Sequence, residues 1–267
     1  MKYTSYGSLS GDSLSVYAAK EAYHTIRTNL MFSLAKTGCK TVVFSSSIQG
    51  EGKTTSAANV AFSLARNDKK VLLLDGDLRS PRIHRLVKLQ KAPGLTNYLS
   101  GFNSLEEICH RSVFPNLDVI CAGNNSPNPS EMIASEGMHT FLKSMQEHYD
   151  FIIIDTPPVN LVSDALSLAG EVDGVVMVVR PGYTTRKDLN SALSQIEFVG
   201  GKVLGAVANG VRAEKSRGYG RYGRYGRYGE GAPQAQAQKM PRPVTPAPLA
   251  KPAEDRAEQT DSKEENS

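Results

Sequence analysis

Six runs between residues 41 and 209 are apolar at consecutive positions rather than at every second one: TVVFSS (41–46), VLLLD (71–75), LDVICAG (117–123), FIIIDTPP (151–158), GVVMVV (174–179) and KVLGAVAN (202–209). A strand with water on one face alternates apolar and polar residues; a strand covered on both faces does not. Segments of helical period fill the gaps between the runs. The pattern therefore predicts an α/β fold, a mostly parallel sheet flanked by helices on both sides. Ligands of such sheets bind outside the carboxyl ends of the strands, so the residues that follow each run are the first place to look for chemistry.

Three helices are legible. Ala22, Ile26, Leu30 and Leu34 recur at spacing four and predict a helix over 18–34. A second is expected over 54–66 and a third over 130–148, with Ser130 as its N-cap. Residues 1–17 are rich in Ser, Gly and Tyr and read as a flexible N-terminus before a folded domain at 18–211. After Val211 the composition changes. Residues 212–231 are Arg/Gly/Tyr-rich, and residues 232–267 are first Ala/Gln/Pro-rich and then highly charged, so 212–267 is expected to be disordered. The three cysteines fit no metal spacing and read as reduced thiols of a cytosolic protein. The start has no apolar stretch for a secretory signal. No apolar run reaches the roughly 18 residues of a membrane span, so a membrane role would need a partner. The formal charge of +4 does not by itself call for nucleic acid.

SIQGEGKTT (47–55) follows the first strand and opens a helix, the context that a phosphate-binding P-loop requires. Successive backbone N–H groups wrap the phosphates, and Gly50 and Gly52 let the backbone approach closely. Lys53 supplies a cation, and Thr54 offers its hydroxyl to Mg2+. Glu51, Thr55 and the residues between them complete the expected nucleotide-binding set. Ser47 stands where the motif usually begins with glycine.

Two further strand ends carry acids. VLLLDGDLRSP supplies Asp75, Asp77 and Arg79, and FIIIDTPP supplies Asp155. An apolar strand that ends in aspartate beside a phosphate loop is the second half of a nucleotide–Mg2+ site, with Asp155 serving the metal. One of Asp75 and Asp77 is free to take a proton from an attacking nucleophile. Arg79 either contacts phosphate or pairs with Asp77. Asp164, in SDAL, reads as a helix-start residue, and Arg180 and Thr185 follow a strand on the ligand side.

SIQGEGKTT, LLLDGDLRSP, FIIIDTPP and the tyrosine-rich tail together resemble the bacterial tyrosine kinases, above all the cytoplasmic kinases of capsule and exopolysaccharide assembly in Gram-positive bacteria. The Asp-x-Asp-x-Arg element is the most specific part. The wider relatives are partition and cell-division ATPases, which often carry an extra lysine early in the loop; Ile48 and Gln49 stand there instead. The resemblance implies a tyrosine kinase using ATP and Mg2+, with Lys53 on the phosphates, Thr54 and Asp155 on the metal, Asp75 as base and metal neighbour, Asp77 in support and Asn209 at the adenine. It also implies a homo-oligomer, built as a ring through a Glu-x-x-Arg-x-x-Arg helix; here Glu21 and Arg27 match, and His24 replaces the first arginine. Further implied are a membrane chain-length regulator as activator, which would recruit the kinase to the inner face of the membrane, and a tyrosine phosphatase as antagonist. A switch ATPase of the partition type, or an ATPase that binds single-stranded nucleic acid through its tail, stays open as an alternative, although no nucleic acid is expected.

Tyr219, Tyr222, Tyr225 and Tyr228 stand at a strict spacing of three, each beside glycine. They are the expected phosphorylation sites. From Val211 an extended chain reaches Tyr219 within about 27–29 Å, which permits delivery to a neighbouring subunit. Over 212–230, six basic residues against two acidic ones leave a charge of +4. Each phosphate adds about −1.5 to −2, so full modification would reverse the sign. A tail docked on an acidic surface around Asp75 and Asp77 is then expected to be released, loosening the oligomer.

Overall fold

The structure is a computed structural model that describes residues 13–211, with side chains from Tyr17 onward. The expectations for residues 1–12 and for the tail, 212–267, lie outside the described residues. Seven strands form one sheet: β1 (Lys40–Ser46), β2 (Val71–Asp75), β3 (Cys109–Phe114), β4 (Leu117–Ile120), β5 (Phe151–Asp155), β6 (Gly174–Val179) and β7 (Val203–Ala208). Their order is β3-β4-β2-β5-β1-β6-β7, and every pairing is parallel except β3 with β4. Nine helices accompany them among the described residues: α1 (Ser13–Ser33), α2 (Lys53–Ala65), α3 (Ile83–Val87), α4 (Leu95–Leu99), α5 (Leu105–Ile108), α6 (Pro129–Ile133), α7 (Glu136–Gln146), α8 (Asp164–Ala169) and α9 (Arg186–Phe198).

Successive side chains of a strand point to opposite faces, and this divides the core in two. Leu72 and Leu74 of β2, with Ile152 and Ile154 of β5, pack under α7, α8 and α9 against Phe141, Leu168 and Ile196. Val71, Leu73, Phe151 and Ile153 pack on the other face, against Val60 and Leu64 of α2 and Leu30 of α1. Strands β2 and β5 are buried at every residue, which is why their sequence shows no alternation.

The structure differs from the sequence reading in five places. Helix α1 begins at Ser13, five residues before the expected start; serine is poorly tolerated inside a helix and blurs the signal. The single helix expected over 130–148 is two. Asn128 precedes α6 with Pro129 at its first position, and Ser135 caps α7 by accepting the Met138 N–H. A second capping serine inside the run restarts the helix, and Ser130 is no cap. The third apolar run leaves the ladder after Ile120, where the carbonyls of Cys121 and Ala122 accept the N–H groups of Leu95 and Thr96 instead. The last run is not covered on both faces: β7 is an edge strand whose Gly205, Ala206 and Ala208 are exposed. Strand β3 was not legible, because CHRSVF mixes polar and apolar residues without a clean period.

Among the described residues, no helix is long and apolar enough to cross a membrane. All three cysteines are free and buried. Burial pushes the Cys39 thiol up to about 11 and the Cys121 thiol up to about 12, and raises Cys109 as well. Thiolate is the reactive form, so at pH 8 the native protein is expected to react with an aromatic disulfide reagent on the order of 100-fold more slowly than an exposed cysteine. All three thiols should titrate at once in denaturant. Fast reaction of a thiol in the native state would contradict the packing around it.

Candidate active site

Strand order gathers the site. β1 lies between β5 and β6, and β2 is the next strand beyond β5. The loop after β1 therefore opens beside the ends of β5 and β2, and in register Asp155 pairs with Asp75 and with Phe44. Gly50 and Gly52 both have positive φ, +83° and +91°. Gly52 caps α2 without a side chain. The N–H groups of Lys53, Thr54 and Thr55, in the first turn of α2, have no intrahelical partner. They border a cavity of about 570 Å3 whose other wall comes from the segments after β2 and β5, with Asp77, Arg79 and Pro157 among its residues.

Lys53 is folded onto the acids. Its Nζ donates to Asp77 Oδ2 at 2.8 Å and lies 3.3 Å from Asp155 Oδ1 and 3.4 Å from Thr54 Oγ1. Burial alone would lower the ammonium's pKa, but Asp155 and Asp77 outweigh it and hold it above its ordinary value. Asp75 and Asp155 have no exposed surface and Asp77 only 4 %. The Ile83 N–H donates to Asp75 Oδ2, while Oδ1 is buried without a partner, as is Ser47 Oγ in the loop. Burial, then the Asp155 charge, pushes the Asp75 carboxyl well above the carboxylate range; burial also raises Asp155, against the pull of Lys53.

A folded-state pKa raised in this way favours the protonated native protein. The associated stability is complete below the unfolded value and is lost as pH rises through the raised folded value. Asp75→Asn is therefore expected to raise Tm at pH 7–8 in the absence of nucleotide, by about 2–4 °C for each kcal/mol. The difference from the parent should shrink as pH falls towards 4. Equal melting curves at both pH values would show that Asp75 carries no such strain.

The loop is braced from the β6–β7 side by residues whose roles were not legible. Glu51 was expected to bind nucleotide, but its side chain is fully buried. Its carboxylate accepts the Ile48 N–H and the Thr184 hydroxyl, and Thr184 Oγ1 in turn accepts the Arg180 N–H. Only the backbone of Glu51 is left to face a ligand. Asn209 donates its amide to the Glu51 carbonyl at 2.9 Å and lies over Gly52. Tyr183 stands over Gly50, with the Arg180 guanidinium 5.4 Å from its ring. Thr185 caps α9 by accepting the Asp188 N–H.

Two further expectations are corrected. Arg79 does not pair with Asp77: its Nε donates to Asp164 Oδ2 at 3.1 Å, Ser130 bridges the two, and the residue lines the cavity. Asp164 starts α8 as expected, but it also holds Arg79 at the cavity. Nor do Asp75 and Asp77 form an exposed acidic surface for a basic tail. Asp75 has no exposed surface and Asp77 almost none, and the charged residues lining the cavity are Lys53, Asp77, Arg79, Arg82 and Arg85. On α1, Glu21 is exposed and His24 half-buried, with 3.6 Å between their side chains. Arg27 donates to the Ser63 carbonyl of α2 and so serves packing within the chain.

This fold and loop define a P-loop nucleotide-binding protein. A family model described as an AAA domain matches residues 39–204. The tyrosine-protein kinase YwqD of Bacillus subtilis is 39% identical over 75% of this chain and 84% of its own length. Among solved structures, the kinase domain of the Escherichia coli tyrosine kinase ETK superposes with a TM-score of 0.70 at 34% identity, covering 76% of this chain and 80% of that one. The chimerical protein CapA2B2 does so with a TM-score of 0.68 at 34% identity, covering 70% and 83%. The chain belongs to the bacterial tyrosine-protein kinase family.

Proposed function

We propose that this kinase uses Mg-ATP to phosphorylate its own tail at Tyr219, Tyr222, Tyr225 and Tyr228, with the tail of one subunit entering the site of another. The observation that carries the reading is that Lys53, Thr54 and Asp77 line one cavity, with Asp155 buried against Lys53 and Asp75 next to Asp155 in register. The residues fit the ligand: two positive-φ glycines leave a cradle, a lysine stands beside it, and a buried carboxylate oxygen lacks a partner. The first-turn N–H groups and Lys53 bind the phosphates. Thr54 and Asp155 would hold Mg2+, which offsets charge on the transferring group. Asn209, which already sits against the loop, borders the adenine.

In the reaction the tyrosine oxygen forms a bond to the γ-phosphorus and the bridging bond to the β-phosphate breaks. The phenol proton passes to Asp75, and ADP leaves. A carboxylate raised by burial is a better proton acceptor than an ordinary one, and Asp77 holds Lys53 and the Ser80 N–H in place around it. Subunits assemble through the α1 surface carrying Glu21 and His24, with Arg27 holding α1 onto α2. A membrane-bound chain-length regulator activates the kinase at the inner face of the membrane, a tyrosine phosphatase reverses it, and the cycle regulates polymerisation and export of a capsular or extracellular polysaccharide.

Intact mass after incubation with Mg-ATP tests the reading. One to four added phosphates, mapped to the tail tyrosines, are expected, with a cytoplasmic activator peptide supplied if the isolated chain is silent. ATP hydrolysis without any phosphotyrosine in either condition would move the protein to the switch-ATPase class.

A further inference from the structure

The cavity that holds Lys53 and Asp77 carries three arginines on its outer wall. Arg79 is tethered by Asp164 and Ser130. Arg82 and Arg85, at the start of α3 and within it, make no salt bridge among the described residues, yet both line the same cavity. The acids nearby do not answer them, since Asp75, Asp77, Asp155 and Asp164 are all buried, and the last three are paired with Lys53 or Arg79. Beside the arginines lie Leu86, Leu161 and Pro157. Leu161 is 53% exposed, so an apolar side chain stands open beside the guanidinium groups. Guanidinium groups next to an apolar wall match one chemistry well: a phosphate carried on an aromatic ring.

We infer that Arg82 and Arg85 form a docking site for a phosphotyrosine of this protein's own tail, next to the position of the tyrosine being modified. The inference rests on the kinase reading above and adds a regulation to it. The unmodified tail carries +4 over residues 212–230 and is repelled by this wall. One phosphate supplies the missing anion. Tyrosines three residues apart lie about 10 Å apart on an extended chain, and a 570 Å3 cavity is about 10 Å across. A docked phosphotyrosine therefore presents its neighbour to the acids. The first phosphate on a tail is slow and the next are fast, so phosphorylation holds the tail in the site until the cluster is filled instead of releasing it. The strict spacing of Tyr219, Tyr222, Tyr225 and Tyr228 serves this register.

The test uses the full chain after phosphatase treatment and two fluorescent peptides covering residues 217–231, one unmodified and one carrying phosphate at Tyr225 alone. By fluorescence anisotropy the phosphopeptide is expected to bind at least about tenfold more tightly, and the preference should vanish in Arg82→Gln/Arg85→Gln. Intact mass during Mg-ATP turnover gives a second readout. The parent should show unmodified chains beside chains with several phosphates, while the double variant passes through singly modified chains. Circular dichroism checks that the variant is folded. Equal affinity for the two peptides overturns the inference, as does a preference that survives in the variant. A variant that loses only ATP affinity would assign the arginines to the nucleotide and overturn it too. If no peptide accepts phosphate, the kinase reading fails, and the anisotropy comparison still decides this one.

Discussion

Lys53→Met is expected to remove phosphate transfer by at least about 10²–10³-fold, the loss typical of deleting a group that faces developing charge. Its effect on the protein without nucleotide is as informative. In the structure the Lys53 ammonium is the counter-charge of Asp77 and Asp155, at 2.8 and 3.3 Å. Methionine keeps the length of the stem and removes the charge. Leaving one partner of a buried pair alone costs about 3–5 kcal/mol if the carboxylates stay ionised. Protonation offers a partial escape, because burial already biases Asp75 and Asp155 towards the acid form. Without Lys53 their folded pKa values rise further. Stability that persists at low pH is then lost as pH rises, so the drop in Tm should be larger at pH 8 than at pH 5.5. Thermal melts at the two pH values, beside intact mass after Mg-ATP, check both halves. Undiminished phosphotyrosine in the variant would remove Lys53 from the chemistry. A pH-independent shift in Tm would remove it from the acid cluster.

The contrast between what was and was not legible in the sequence follows one physical rule. Burial on both faces writes itself into a strand as an unbroken apolar run, and β1, β2, β5 and β6 were read almost to the residue. Edge strands answer to weaker demands. β3 mixes its residue types, and β7 looked like a central strand while lying half exposed. The acids were legible because each ends such a run, and the sheet order then sets Asp75 beside Asp155. What escaped was every contact made across a long sequence separation by an ordinary polar residue. Glu51 reaches Thr184, Asn209 reaches Glu51, and Arg79 reaches Asp164 and Ser130. Nothing local marks these partners, because the fold supplies the neighbour. The supposed acidic surface failed for a related reason: sequence shows that three aspartates are close, but not that they are buried, with arginines lining the same cavity.

Gly52→Ala is expected to abolish nucleotide binding while leaving the sheet intact, because two separate constraints meet at this residue. Its φ of +91° lies where L-residues are strained, at a cost of roughly 1–2 kcal/mol. A Cβ placed there would stand 1.9 Å from Asn209 Nδ2 and 3.0 Å from Asn209 Cγ. The Asn209 amide can swing away only by giving up its 2.9 Å bond to the Glu51 carbonyl, which ties the loop to the end of β7. The loop must therefore either change its backbone or lose a brace, and both alter where its N–H groups point. Nucleotide affinity, measured by a fluorescent ATP analogue, should fall at least 100-fold, about 2.7 kcal/mol, with a far-ultraviolet spectrum like that of the parent. Gly52→Ala/Asn209→Ala, compared with Asn209→Ala alone, separates the two causes. Removing the asparagine relieves the collision but leaves the strained φ and the methyl group facing the phosphates. The double variant is expected to recover stability and not binding. If it binds nucleotide as well as the parent, the collision with Asn209 alone was responsible. If the single variant binds normally, the backbone of Gly52 does not approach the phosphates, and the P-loop reading of this segment is wrong.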